Sequence, residues 1–375
     1  MDETSRPLFT HLLTITDPRR DASTDHPLKS ILFISVCAVI CGADGWTGVA
    51  QWGESKKPWL STFLDLPFGI PSHDTFRRVF SILNPNQFAT AFQTWMADAA
   101  KLTEGAVIPI DGKTLRRSLS KAGDQSAIHM VSAFAAENGV VLGQVKTEEK
   151  SNEITAIPEL LKLLTLKGCL VTIDAMGCQK TIAAQIHQQG GDYLLAVKGN
   201  QPTLEEIVEE SVELGLEDGV EEYGGSYAQS VEKRAGAEIR REVWVMPAPD
   251  DLEELEVWAG LGSLLLAQRT VVSGGKEKVG RRLYISSISA TQGRQLLNAV
   301  RQHWSIENQL HWSLDVAFDE DHSRIRFGHS AENMARLRHI ALNLLKQEKT
   351  TRVGIKIKRN MAGWDDAYLL KVLGL

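Results

Sequence analysis

Between Gly105 and Lys198 short apolar runs alternate with helical periods, and their order restricts the fold more than any other feature of the 375 residues. VIPID, ending at Asp111, reads as a strand. AIHMVSAFA and VVLGQVKT flank a Glu137-Asn138-Gly139 turn and read as two more, paired as a hairpin. A helix follows over Asn152 to Leu164 with Ser151 as its N-cap. CLVTID gives a fourth strand, QKTIAAQIHQQG a helix closed by Gly190, and DYLLAVK a fifth strand.

Three antiparallel strands, then helix, strand, helix, strand, is the order of the ribonuclease H-like α/β fold, a mixed five-stranded sheet with helices on both faces. In that order Asp111 ends the first strand and Asp174 the fourth, and these two strands are neighbours, so the carboxylates converge. Two such anions repel at short range, and one pKa must rise unless a cation sits between them. Mg²⁺ or Mn²⁺ prefers hard oxygen ligands, and a pair of such ions suits phosphodiester displacement. The stretch IPIDGKTLRRS is no phosphate-cradling loop, because Val107 stands where glycine is required and Pro109 removes an N–H donor. No nucleotide is expected.

A third carboxylate comes from NAVRQHWSIENQLHWSLDVAFDEDHSRIRFG. His303, Glu307, His311 and Asp315 recur every four residues along one helix face. The pattern HxxxExxxH is not the HExxH of zinc hydrolases, and Glu307 is the expected third ligand.

Around this core the chain divides by pattern. Residues 1–104 read as an N-terminal helical accessory domain, for DNA binding or dimerisation. Its segment HDTFRRVFSILNPNQFATAFQTWMADAA gives two amphipathic helices broken at Asn84-Pro85. Residues 105–199 form the first part of the catalytic core and 200–293 a β-rich insertion before the last catalytic helix. In that insertion an acidic helix, Leu204 to Leu216, precedes the strand-like runs REVWVM, SLLLAQRTVV and RRLYISSIS. Residues 294–348 complete the core, and 349–375 read as a basic tail.

The net charge of -6 is uneven. Gln201 to Gly260 holds 17 acids against 4 bases, a local -13, so the remainder carries -6 + 13 = +7. His322 to Asn360 has 10 Lys or Arg against 2 acids, which from charge alone reads first as a solvated surface helix followed by a basic tail and otherwise as a stretch that can meet a phosphate backbone. The insertion's acidity is expected either to keep it off DNA except along Arg281 and Arg282 or to regulate access. The most apolar segment is uncharged only from Ser30 to Ala43, too short for a bilayer, and reads as a buried helix. Met1 to Arg20 has no secretory pattern, and Cys37, Cys41, Cys169 and Cys178 lack metal-ligand spacing, so a reducing cytoplasm is expected.

PSHDTFRRVF, IPIDGKTLRRS, VTIDAMGCQK, DYLLAVKGNQP and HWSIENQLHWSLDVAFDEDHSRIR together resemble the DDE-class insertion-sequence transposases of the H-repeat-associated (ISAs-type) family over essentially the whole chain. The resemblance implies a DNA transposase with Asp111, Asp174 and Glu307 as catalytic residues binding two Mg²⁺ or Mn²⁺. It implies double-stranded DNA as partner, at terminal inverted repeats and target, and a homodimer on that DNA, nucleoid-associated when bound. The wider superfamily places Tyr, Arg, Glu and Lys where this chain has Val300, His303, Glu307 and Leu314. Only the Glu is kept, so phosphate contacts are expected from Arg301, His303, Arg324 or Arg326, with Lys113, Arg116, Lys198 and Asn200 flanking the strand ends. A nuclease that never joins ends, and a silent DNA-binding derivative, are the alternatives.

Overall fold

A computed structural model describes residues 8–20, 24–100, 102, 104–118, 127–147, 153–234 and 236–375. Six helices come first: α1 Leu8–Leu12, α2 Leu28–Ile40, α3 Trp46–Ser55, α4 Lys57–Leu60, α5 His73–Ile82 and α6 Pro85–Ala99. Helix α2 is the expected buried helix, with Lys29 its one residue outside the core. The break between α5 and α6 follows from side-chain chemistry. Asn84 caps α6 by accepting from the N–H groups of Asn86 and Gln87, and Pro85 occupies the first turn, where no N–H is missed.

The strands are β1 Val107–Thr114, β2 His129–Ala135, β3 Val140–Thr147, β4 Leu170–Ile173, β5 Asp192–Val197, β6 Ser226–Arg234, β7 Ala237–Pro247, β8 Ser263–Ser273 and β9 Lys276–Ser286. Their order in one sheet is β3-β2-β1-β4-β5-β9-β8-β7-β6. The first five carry the ribonuclease H-like arrangement: β1 is antiparallel to β2 and β2 to β3, while β1 with β4 and β4 with β5 are parallel. Helix α7 Glu153–Lys162 links β3 to β4, and α8 Lys180–Gln188 links β4 to β5. The helix expected from Asn152 begins at Glu153 among the described residues. Its expected cap, Ser151, lies outside them.

The insertion contributes four strands, not three, and β9 pairs antiparallel with β5 so that they continue the same sheet. The unforeseen strand is β6, the outermost, whose run SYAQSVEKR is largely polar. Exposed on its edge, it needs no apolar face to stay paired to β7 along its whole length. The acidic helix α9 Pro202–Asp218 and the short α10 Glu253–Glu256 accompany these strands.

After the sheet come α11 Gly293–His303, a π-helical turn over Ile306–His311, α12 Trp312–Phe318, α13 Ser330–Gln347, α14 Ile355–Trp364 and α15 Asp366–Leu373. The segment read as a basic tail is therefore two packed helices. Lys358 and Arg359 are buried, held by Glu348 and Asp44. Arg336 and Arg338, counted at the sequence level in the basic run expected at the surface, are also enclosed, paired to Glu332 and Glu320. Helix α13 is the reason: it is buried over nearly its whole length, so its cations carry internal partners. One apolar core runs from α1 and α2 through the sheet to α13, α14 and α15.

Candidate active site

The register of the sheet sets the geometry. On the parallel strands Ile110 is paired with Ile173, so Asp111 and Asp174 each follow the last paired residue of neighbouring strands. Asp174 ends its strand and caps the 3₁₀ turn Ala175–Gly177, accepting from Met176 N–H at 3.2 Å. Asp111 does not end its strand. Pairing with β2 carries β1 on to Thr114, with Asp111 opposite Ser132, and its Oδ1 accepts from Gly112 N–H at 2.8 Å.

Strand alternation puts Asp111 and Lys113 on one face of β1, and Thr172 shares a face with Asp174 on β4. The stripe of α11, the π turn and α12 meets these residues in sequence. His303 Nδ1 and Thr172 Oγ1 are 2.9 Å apart, His311 Nδ1 lies 3.6 Å from Asp111 Oδ2, and Asp315 binds Lys113. Glu307 lies between the His303 and His311 contacts, solvent-exposed, and acts electrostatically on Asp111. Three residues of the expected four-residue stripe, His303, His311 and Asp315, thus contact β1 or β4.

Charge is concentrated here. Burial pushes the Asp111 carboxyl up to about 7, the Gly112 N–H opposes this, and Asp174, Glu153 and Glu307 add to it. Asp174 is raised as well, by burial and then by Glu153. The nearby imidazoles do not compensate. Burial, with Lys113 beside one and Arg282 beside the other, holds His311 and His303 down at about 4, so both are neutral at pH 7.

Glu153 is the carboxylate that sequence reasoning passed over. It sits in the first turn of α7, buried, with Oε1 2.5 Å from His129 Nε2, while His129 Nδ1 is 2.9 Å from Thr114 Oγ1. Gly112 makes room for the pair, since a Cβ there would overlap both His129 and Glu153. An acid opening a helix just after the third strand was the available signal, but acids are common in first turns for dipole reasons alone.

The expected phosphate contacts fare unequally. Lys113 is instead enclosed between Asp315 and Glu320, the latter at 3.1 Å, and its charge is already matched. His303 is neutral and committed to Thr172. Arg301 lies 3.3 Å from Glu232. Asn200 donates to the Ala175 carbonyl at 2.7 Å, bracing the turn after Asp174. Arg116 stays exposed beside Asp321, Lys198 and Arg324 are exposed, and Arg326 Nε donates to the Arg117 carbonyl.

The insertion's charge is divided between its elements. Its acids are concentrated on α9 and α10, whereas the β7–β9 face carries Arg241, Arg269, Lys278, Arg281 and Arg282 along a groove of about 1260 Å³ that reaches Glu307.

Comparison with known proteins assigns the family. A family profile described as DDE_Tnp_1-associated matches residues 9–96, and one described as Transposase DDE domain matches residues 103–344. The chain belongs to the DDE transposase family. The relative named "H repeat-associated putative transposase YhhI" from Escherichia coli (strain K12) is 43% identical over 371 residues, 98% of this chain and 97% of its own. "Putative transposase YncI" from Escherichia coli O157:H7 is 43% identical over 369 residues, 98% and 94% respectively. A solved piggyBac transposase synaptic complex with hairpin DNA aligns at TM-score 0.42 and 10% identity, over 98% of this chain and 78% of that one. Among the described residues no helix of this transposase family member is long and apolar enough to cross a membrane.

Among the same residues, no three His, Cys, Asp or Glu side chains stand close enough together to hold a metal ion as they are. The donors present nevertheless fit a hard divalent cation. They are carboxylate oxygens, and Asp111 is raised by burial first and by the neighbouring carboxylates after it, both of which such an ion offsets.

Proposed function

We propose that the chain is a DNA transposase that binds the terminal inverted repeats of an insertion sequence and carries out metal-dependent strand cleavage and strand transfer, as a homodimer on DNA in the cytoplasm. The observation that supports this most is the equivalent placement of Asp111 and Asp174 on adjacent parallel strands beneath the helix that bears Glu307. Asp111, Asp174 and Glu307 would hold Mg²⁺ or Mn²⁺, two ions per site. When bound, these ions supply charge neutralisation at the reacting phosphodiester and a lowered pKa for the attacking water.

The chain's own residues set the stage for the reaction. Neutral His311 beside Asp111 leaves the carboxylate's charge available to a cation. The Lys113 ion pairs fix β1 against α12, so the site is held by rigid elements. In the first reaction water adds to phosphorus and the 3′ oxygen leaves as 3′-OH. In the second that 3′-OH adds to phosphorus of another strand and displaces its 3′ oxygen. One phosphodiester replaces another, so no nucleotide hydrolysis is needed.

The test is incubation with linear DNA carrying the element's own ends, with and without Mg²⁺. Cut ends joined to a second DNA are expected. Cut ends that never join would reduce the reading to a nuclease, and bound but uncut ends to a silent DNA-binding derivative.

A further inference from the structure

The buried cations of α13 and α14 each have an acid: Arg336 and Arg338 are paired to Glu332 and Glu320, Lys358 and Arg359 to Glu348 and Asp44. Lys346, in the last turn of α13, is placed differently. It has no acid partner among the described residues. Its Nζ donates to the Gln309 carbonyl at 3.0 Å and lies 4.9 Å from the centroid of the buried Phe134 ring on β2. Burial, and after it the charge of Lys349, brings this ammonium down to about 7. A lysine that served the fold alone would be cheaper as a methionine, since an ammonium without a counter-charge is costly to enclose.

The carbonyl it meets belongs to the π turn over Ile306–His311, two residues after Glu307. Across that turn the Trp312 N–H reaches back to the Glu307 carbonyl, and the Gln309 carbonyl lying between them also accepts from Ser313 Oγ at 2.7 Å. Lys346 works from a fixed base. One turn earlier on α13, Asn343 exchanges two hydrogen bonds with the Val141 backbone on β3, at 2.9 and 2.8 Å. The turn is thus held toward β1 by His311, 3.6 Å from Asp111, and toward β2 and β3 through Lys346. A π turn is rare, and its wide ring persists where neighbours hold it. Glu307 and Gln309 line the groove of the site and Lys346 does not, so the lysine acts on the site through the turn.

We infer that Lys346 is a positioning residue, whose ammonium clamps the π turn to β2 and so fixes where the Glu307 carboxylate meets the metal ions. The inference rests on the proposed function for the role of Glu307 as a ligand.

The experiment compares the full chain with Lys346→Met and Lys346→Arg by cutting of element ends in Mg²⁺, by titration calorimetry of Mn²⁺ without DNA, and by thermal unfolding. Lys346→Met keeps the aliphatic stem and removes the donor. Its Tm should hold or rise, while Mn²⁺ binds about tenfold more weakly and cutting slows by about ten- to a hundredfold. Lys346→Arg, which returns a cationic donor, should recover most of both losses. Cutting and Mn²⁺ affinity that Lys346→Met leaves unchanged overturn the inference. So does a loss accompanied by a Tm several degrees lower, which would make the lysine a support of the fold, or an arginine variant no better than the methionine one. Ends left uncut by the unaltered chain would sink the transposase reading, and the Mn²⁺ titration would still decide for or against Lys346.

Discussion

Asp111 sits in a field of three other carboxylates, and substituting any of the proposed ligands removes charge without removing a phosphate contact. Asp111→Ala, Asp174→Ala and Glu307→Ala should therefore each abolish cleavage of element ends and leave end binding largely intact, read by gel assays of cutting and binding. A variant that retains a tenth of normal cutting does not bear a ligand. Gly112 makes a different prediction. Alanine there drives a methyl into the buried His129–Glu153 pair, and Gly112→Ala should cost about 1–3 kcal/mol by overpacking. Calorimetry would record a Tm several degrees lower, and an unshifted Tm would mean that the pair moves aside freely. Glu153 itself was not legible, because its role depends on where α7 packs and no local pattern marks it. Asp111 and Asp174 were legible, because each closes an apolar run and the strand order alone brings them together.

The element that carries Glu307 shows how far periodicity reaches. A spacing of four on a straight α-helix drifts by about 40° per step, so His303 and Asp315 would end about 120° apart. The wide π turn over Ile306–His311 takes up that drift, and His303, His311 and Asp315 all reach β1 or β4. The stripe was readable from the sequence; the turn that makes it work was not, since no residue type announces a π turn. Inserting one alanine after Gln309 adds a residue that the turn does not already accommodate and should swing everything after it by about 100°. Helix content by circular dichroism should hold while cleavage is lost, and retained cleavage would show that the register set by the π turn is dispensable. Strand β6 escaped notice for the opposite reason, being specified by its neighbour and not by its own alternation.

At the scale of the whole molecule, the C-terminal helices and the first helices are one structure. Arg359 donates to the Val39 carbonyl on α2 at 2.9 Å, pairs with Asp44 and reaches Ala317 at the end of α12. Arg359→Ala should destabilise the fold by about 3–5 kcal/mol, because Asp44 and two carbonyls lose their partner. Chemical denaturation would measure it, and the salt dependence of DNA binding should stay unchanged. A pH effect arises next to it. Burial raises the Glu348 carboxyl, but hydrogen bonds from Thr350, Tyr368 and Lys358 outweigh this and bring it to about 2, against 4.5 when free. The depressed value means that this stabilisation is whole above pH 4.5 and is lost as pH falls from 4.5 toward 2. Glu348→Gln should flatten the acid limb of unfolding midpoint against pH over that interval. Charge counting had put these cations on the surface, because composition cannot tell a solvated Lys from one with a buried acid waiting for it. The packing of α2, α5 and α6 on α13 also bears on synthesis. The first hundred residues leave the ribosome with their apolar faces open, and α13 is not complete until Gln347 is added. At elongation rates of about 5–20 residues per second that wait is roughly 10–50 s, during which the nascent chain depends on chaperones or on local collapse to avoid aggregation.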